Sequence, residues 1–373
     1  MPRMQHSIIS RRDGWYTAFP QLYGFPDGRL AVGVPASPFS DHFAVDRRVE
    51  FVVVESRDEG ANWTDTDDPT IPYNWTGTNP RERYDRFADI MPDGSFLCAG
   101  SVGWEIWPAQ RRTEAESQGL IVRPHQLDDD VIIVGGHKLF TQRSTDGGQN
   151  WTRREWVIPG FGSFQTYQVH QEALFADGSI LFSVYGCDSG GDRYATYVWR
   201  STDGGETFRL HPMGSHADGT HTGETTFLEI APGRLTALSR TEPDPGHSVQ
   251  RWSDDGGITW TYPVRCDFWG YPAHLLRLRD GRVLCAYGYR REPMGVRAVL
   301  SEDDGNTWDT DNIIVLRDDG GTANQMREDR SRAGSDLGYP VSAQLADGSV
   351  LTVYYITGSD GITHAAATRW ELP

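Results

Sequence analysis

Apolar and polar residues alternate along this chain in short runs, and each run ends at a turn signal. One arrangement recurs: an apolar run, an Asp-Gly turn, then an alternating or apolar run. It appears as FPDGRLAV at 25, MPDGSFLC at 91, FADGSILF at 175, LRDGRVLC at 278 and LADGSVLT at 345. A sixth copy, IAPGRLTAL at 230, carries Pro232 where the others carry Asp. An apolar run, the turn, and then an alternating or apolar run predict a β-hairpin at each copy. A second phrase, S-x-D-x-G-x-x-W, follows every hairpin except the last: SRDEGANW at 56, STDGGQNW at 144, STDGGETF at 201, SDDGGITW at 253 and SEDDGNTW at 301. Its Ser and Asp can bond to backbone N–H groups inside a turn. Its Gly supplies a backbone angle other residues resist, and its Trp can pack back on the sheet. The spacing is not that of an EF-hand loop, so this phrase is read as a structural turn. A hairpin followed by a second hairpin closed by that turn makes four strands. Six such units predict an all-β, six-bladed β-propeller that forms a single domain over residues 1–373. Residues 4–10, MQHSIIS, and the terminal HAAATRWEL are expected to meet and complete one blade. No long amphipathic helix is expected. The interval 94–143 has no close copy of the repeat, and 318–336 reads as a long loop between blades five and six.

Composition narrows the picture. A chain of 373 residues would ordinarily hold two or three domains, but stacked repeats override that prior. Aromatic residues make up 12% and there are 41 Gly, which suits short strands joined by tight turns. The net charge of −17 argues against nucleic acid or an anionic membrane surface as a partner. It does not argue against a small acidic ligand, because a few arginines can make a positive pocket on an acidic body. Cys98 and Cys285 lie in apolar runs and read as buried free thiols; with Cys187 and Cys266 they show no CxxC spacing for zinc. The first fifteen residues lack an apolar core of signal-peptide length, and no run approaches a membrane span, so a cytoplasmic location is expected.

The Asp-Gly turn serves as a ruler for the inner strands, where propeller sites usually lie. Eight residues before each Asp, or before Pro232, stand Phe19, Asp85, Val169, Glu224, Pro272 and Tyr339. Two residues later stand Gln21, Phe87, Gln171, Thr226, His274 and Val341. Polar and aromatic groups dominate both rings, where a purely structural strand would favour aliphatics. Asp85 and Gln171 are substrate-binding candidates on this ground.

The boxed turns are Asp boxes, and the six-unit pattern resembles the sialidase (neuraminidase) superfamily along nearly the whole chain. GETTFLEIAPGRLTALSR, 223–240, resembles the family's fourth-blade segment, where a Glu precedes the second Arg of an arginine triad. The resemblance puts Glu224 and Arg240 on those positions. GYPVSAQLADG, 338–348, resembles the last-blade segment that carries the catalytic Tyr, which puts Tyr339 there. In the first-blade loop, Asp46 stands ten residues before the Asp-box Ser, like the family's acid/base Asp; Asp41 competes for the role. The resemblance implies an exo-acting glycoside hydrolase that needs no cofactor and acts on a small carbohydrate or glycoconjugate. Such chemistry needs an acid at the leaving oxygen and a nucleophile or stabiliser at the anomeric carbon. Where that carbon carries a carboxylate, a neutral Tyr hydroxyl serves better than an anion. Tyr titrates near ~10, so it needs a base, and Glu224 is the candidate.

The pattern departs from the family at one arginine. The first of the triad belongs in an Arg-Ile-Pro phrase that aligns with Ala18-Phe19-Pro20. Ala18 cannot make a bidentate contact to a carboxylate, so the sugar need not be sialic acid. For the third arginine, Arg290, Arg291 and Arg297 compete in YGYRREPMGVRAVLS. A uronate lyase is the alternative, with His170 or His274 as base, Tyr339 as acid and Arg240 on the uronate carboxylate. No spacing supports a metal site from His170, His221 and His274. A propeller that binds a glycan without cleaving it is a further alternative.

Overall fold

The computed structural model describes residues 3–37, 50–73, 87–101, 104–125, 128–135, 138–157, 161–166, 174–188, 194–214, 221–242, 247–322 and 337–373. The chain is all-β. Among the described residues the only α-helix is Arg112–Ser117. The fold divides into two compact units, residues 1–42, 46–87 and 266–373 in the first and residues 43–45 and 88–265 in the second.

The first unit holds three antiparallel sheets. In one, Tyr16–Thr17 and Gln21–Gly24 both pair with Leu30–Ser37, which is followed by Glu50–Ser56 and Thr64–Asp65. In the next, Ala273–Arg277, Val283–Tyr289, Gly295–Ser301 and Ile314–Arg317 lie in chain order. In the third, the order is Gly338–Gln344, Val350–Thr357, Thr363–Trp370 and then Met4–Ser10. The two chain ends pair antiparallel, Met4 opposite Trp370 and Ile8 opposite Ala366, as the sequence leads one to expect. This pairing also explains why there are five boxes for six hairpins. The box joins the third strand to the fourth. In the sheet built from both chain ends no such connection exists.

The second unit repeats the pattern. Asp89–Ile90, Phe96–Ser101, Lys138–Ser144 and Thr152–Val157 form one sheet, and Phe161–Thr166, Ile180–Asp188, Tyr194–Ser201 and Arg209–Pro212 the next. His221–Ala231, Arg234–Glu242 and His247–Ser253 follow. The stretched interval is an insertion. Phe96–Ser101 and Lys138–Ser144 pair directly, Leu139 opposite Ser101. Between them the chain builds a small three-stranded sheet from Trp104–Pro108, Val122–Pro124 and Val131–Gly135. That sheet and the short helix share a core of Ala115, Leu120, Ile132 and Val134.

Two local devices set the sheets. The Asp-Gly hairpins carry three loop residues with Gly at a left-handed angle, as in Gly28 at φ +88°, and the Asp carboxylate accepts the N–H two residues on. In the sixth copy Ala231 pairs with Arg234, so the loop is the two-residue Pro232-Gly233, and the Glu229 carboxylate accepts the Gly233 N–H instead. In the boxes, the Ser144 hydroxyl accepts the Gly148 N–H at 2.9 Å and lies 2.8 Å from an Asp146 oxygen. Asp146 in turn accepts the backbone and side-chain N–H groups of Asn150 at 2.9 and 2.7 Å. The same Ser–Gly and Ser–Asp contacts recur from Ser56, Ser201, Ser253 and Ser301. All five serines are buried.

Arginines then tie one sheet to the next. Arg143 binds Asp93 in the hairpin turn of its own sheet at 2.9 Å and donates to the Gly204 carbonyl in the following box at 2.7 Å. Arg200 does the same with Asp177, at 3.2 Å, and Gly256, at 3.0 Å. In the first unit Arg369 bridges Asp347 at 2.5 Å and Glu59 at 2.7 Å. Apolar contacts fill the space between: Leu284, Val296 and Leu316 pack with Val350, Tyr354 and Trp370 in the first unit, and Leu97 and Leu139 with Phe182 and Trp199 in the second. Cys98 and Cys285 are buried free thiols, as their apolar surroundings imply.

Ser144→Ala removes the acceptor of a buried N–H. It should destabilise the protein by ~1–3 kcal/mol, read as a lower urea midpoint at unchanged slope. The N–H groups of Asn150 hold the Asp146 carboxyl down at about 2, and Thr207 does the same for Asp203. A carboxyl depressed in the folded state contributes stability above its unfolded value near ~3.9, and that contribution disappears as pH falls toward the folded value. Denaturation midpoints should therefore hold down to about pH 4 and fall steadily from there to pH 2.

Candidate active-site elements

Three inner strands share one irregularity at the register that the Asp-Gly ruler marks. From Gly338 to Val341 the strand advances three residues while its partner moves two, from Tyr355 to Val353. From Thr222 to Thr225 it advances three while the partner moves from Thr241 to Ser239. Between Thr17 and Gln21 it advances four while the partner moves from Ala36 to Gly33. Each is a single extra residue, a β-bulge, and the residues it re-aims are Tyr339, Glu224 and Phe19. Phe19 and Tyr339 also take left-handed angles, φ +58° and +49°, which are costly for bulky side chains.

In the first unit Tyr339 stands half-buried on an aromatic floor. Its ring meets Phe19 edge-on at 4.8 Å and Tyr355 at 5.7 Å, and Tyr16 and Ala18 close the cluster from below. The Arg290 guanidinium lies 6.0 Å from the Tyr339 ring and 5.4 Å from Tyr271, and its Nε donates to the Leu337 carbonyl at 3.0 Å.

In the second unit Arg240 Nη1 donates to Glu224 Oε2 at 2.9 Å, with side chains 22% and 10% exposed. This is a mostly buried pair, so breaking it leaves a poorly solvated charge. A set of buried hydroxyls holds the bulge beneath it. Thr196 and Thr225 donate to the Gly223 carbonyl at 2.9 and 2.8 Å, and Thr225 Oγ1 lies 2.7 Å from Ser239 Oγ.

With this geometry in view, comparison with known proteins gives a consistent answer. Residues 120–352, more than half of the chain, match the model for the BNR repeat-like domain. The chain belongs to the BNR repeat-like domain family. Its fold is similar to that of a protein of unknown function from Dyadobacter fermentans, at TM-score 0.70 and 25% identity over 100% of both chains. It is also similar to an intramolecular trans-sialidase from Ruminococcus gnavus, at TM-score 0.59 and 13% identity over 96% of this chain and 94% of that one. A third similar structure is the NanB sialidase from Streptococcus pneumoniae, at TM-score 0.59 and 11% identity over 98% and 70%. At such identities the two sialidases speak for a sialidase-like fold. No curated protein matches the sequence.

Within this BNR repeat-like chain the three competing arginines separate. Arg290 approaches Tyr339, Arg291 is exposed and stacks on Trp269 at 4.0 Å, and Arg297 stacks on Tyr289 at 3.4 Å. His274 is buried, and its Nδ1 accepts the Ser342 backbone N–H at 3.3 Å, which ties one inner strand to the next within the first unit. Asp46, Asp41, Asp85, His170 and Gln171 lie outside the described residues. Sequence reasoning missed Tyr271, Trp269 and Tyr289, and it missed the hydroxyls of Thr196, Thr225 and Ser239. A repeated aromatic-proline pair at Phe19-Pro20, Tyr271-Pro272 and Tyr339-Pro340 could have signalled Tyr271.

Glu224 and Arg240 act as a unit, so a double-mutant cycle should show it. Arg240→Met and Glu224→Gln should each destabilise the protein by ~2–3 kcal/mol, and the double variant by less than their sum, with a coupling of at least ~1 kcal/mol. Urea denaturation of the four proteins measures it.

Proposed function

We propose that this protein is a carbohydrate-active enzyme, a sialidase-like exo-glycoside hydrolase on a six-bladed propeller of one domain. Tyr339 is its nucleophile and Glu224 the base for Tyr339, with Asp46 as acid/base and Arg240 and Arg290 as substrate grips. One observation carries the reading. The fold spends a β-bulge on the inner strand at both Tyr339 and Glu224, and a left-handed backbone on Tyr339. Strain of that kind persists where the surroundings over-determine it, and it clusters at functional sites. Six hairpins, five of them followed by a box, and the pairing of the two chain ends support the closed ring.

The roles follow from charge. A tyrosine hydroxyl attacks as its proton leaves to a carboxylate, so no anion has to approach an anionic sugar before reaction. Arg240 holds that carboxylate in place. Ala18 is fully buried beneath the aromatic cluster and offers no cation to a substrate carboxylate. The sugar is therefore proposed to differ from sialic acid in the placement of its acid group. The lyase alternative loses support from His274, whose Nδ1 is occupied by a backbone N–H and whose side chain is buried. The likeness to the NanB sialidase lends the glycosidase reading further weight.

The test is a panel of sialosides, uronosides and neutral α- and β-glycosides. On the substrate that is cleaved, Tyr339→Phe and Glu224→Gln should each lower kcat/KM by ~10²–10⁴-fold. Full activity in both variants would sink the mechanism. A product with an unsaturated uronate, seen by its ultraviolet absorbance, would turn the assignment to a lyase.

A further inference from the structure

Beside Tyr339 the first unit carries a row of aromatic rings that the proposed chemistry does not use. From Tyr339 the row passes under Arg290 to Tyr271. Trp269 continues it, with its ring centroid 5.4 Å from Tyr271 and 5.4 Å from Tyr289. All of these rings are half-buried, so each keeps some surface toward solvent. An aromatic row whose only role was packing would be expected to bury its members, as Tyr287 and Phe268 are buried in the neighbouring stack.

The charge on this row is the second observation. Each ring carries one guanidinium: Arg290 at Tyr271, Arg291 at Trp269 and Arg297 at Tyr289. The Arg297 Nε–H is buried and has no hydrogen-bond acceptor among the described residues. A guanidinium stacked on a ring keeps its N–H groups in one plane, and its terminal pair forms the fork that fits a carboxylate or sulfate. On a chain with net charge −17, three arginines gathered on one aromatic row concentrate positive charge there. Aromatic rings offer a surface to the apolar face of a pyranose, and the arginines select an anionic substituent.

We propose that Trp269 and Tyr289, with Arg291 and Arg297, form a second sugar subsite next to Tyr339. It takes an acidic residue, bearing a carboxylate or a sulfate, of an oligosaccharide. The ligand is thus at least a disaccharide, with negative charge on the residue beyond the one at Tyr339. The proposal rests on the reading of Tyr339 as the reacting group.

The experiment is binding of the Tyr339→Phe protein to an array of neutral, uronate-bearing, sialylated and sulfated di- to hexasaccharides. Acidic oligosaccharides should be retained over neutral ones of the same length. Comparing the uronate with the sulfate arm identifies the anion. In that background Trp269→Ala and Arg297→Met should each weaken binding at least about tenfold, and Trp269→Tyr should restore most of it. If Trp269→Ala does not fold, Arg291→Met takes its place, with the same expected loss. Equal retention of neutral and acidic glycans, retention of none, or unchanged binding in well-folded variants overturns the subsite. If Tyr339→Phe cleaves as fast as the parent while binding still depends on Trp269, the subsite stands and the reading of Tyr339 fails.

Discussion

One buried hydroxyl governs the turn on which the sheets depend. In each box the serine accepts a glycine N–H, and it shares its position with an aspartate that gathers the next two donors. With those groups satisfied, the third strand can reverse into the fourth without leaving an orphan polar group under the sheet. The turn so fixed then offers its glycine carbonyl to an arginine of the preceding sheet, as Gly204 does to Arg143 and Gly256 to Arg200. Local turn geometry is thereby converted into sheet-to-sheet registry. Two boxes place an ordinary residue where the others have glycine, Glu59 at φ +59° and Asp304 at φ +60°. That the turn holds them there shows how strongly the hydroxyl and carboxylate contacts over-determine it.

Regularity of this kind is what makes an exception informative. Against six hairpins of nearly constant length, an extra residue on an inner strand must be accommodated by a bulge. Thr196 and Thr225 brace one such bulge by converging on the Gly223 carbonyl, under Glu224. The bulge at Tyr339 is braced by rings, with Phe19 and Tyr355 against the tyrosine. One bulge is thus held by hydrogen bonds and the other by packing. Substitutions beneath them should be felt in different ways, as lost polar satisfaction in the first and as cavity or rotamer freedom in the second.

The repeat, the hairpins and the meeting of the chain ends were legible because each is a short-range pattern written several times. Asp-Gly and Ser-x-Asp-x-Gly have one low-energy geometry each, so copies in the sequence become copies in space. The ruler derived from them falls on the two bulges, at Glu224 and Tyr339, because strand length is counted in residues. It failed for choices that depend on side-chain direction. Arg290, Arg291 and Arg297 are indistinguishable by spacing, and only their stacking on Tyr271, Trp269 and Tyr289 separates them. The insertion between Phe96–Ser101 and Lys138–Ser144 was visible only as a gap, since its small sheet follows no repeat. His274 shows the converse. Its position on an inner strand invites a chemical role, yet its Nδ1 takes a backbone N–H from the adjacent strand.

The aromatic-proline pairs explain why the strain at Phe19 and Tyr339 takes the form it does. A proline on the C-terminal side disfavours the right-handed α region for the residue before it. A bulge nevertheless needs that residue to leave the extended conformation if the chain is to take up an extra position. With the right-handed well disfavoured, the left-handed one remains, and both residues occupy it. Pro20 and Pro340 thus do more than end a turn. They fix which way the bulged ring points, at a backbone cost of about 1–2 kcal/mol each. The rings recover part of that cost by meeting edge-to-face at 4.8 Å over Tyr16, Ala18 and Tyr355. On this argument Ala18 is small because the packing demands it. A longer residue there would compete for the space that Phe19 and Tyr339 share with Tyr16 and Tyr355, so the small side chain at this position and the orientation of Tyr339 are two results of one constraint.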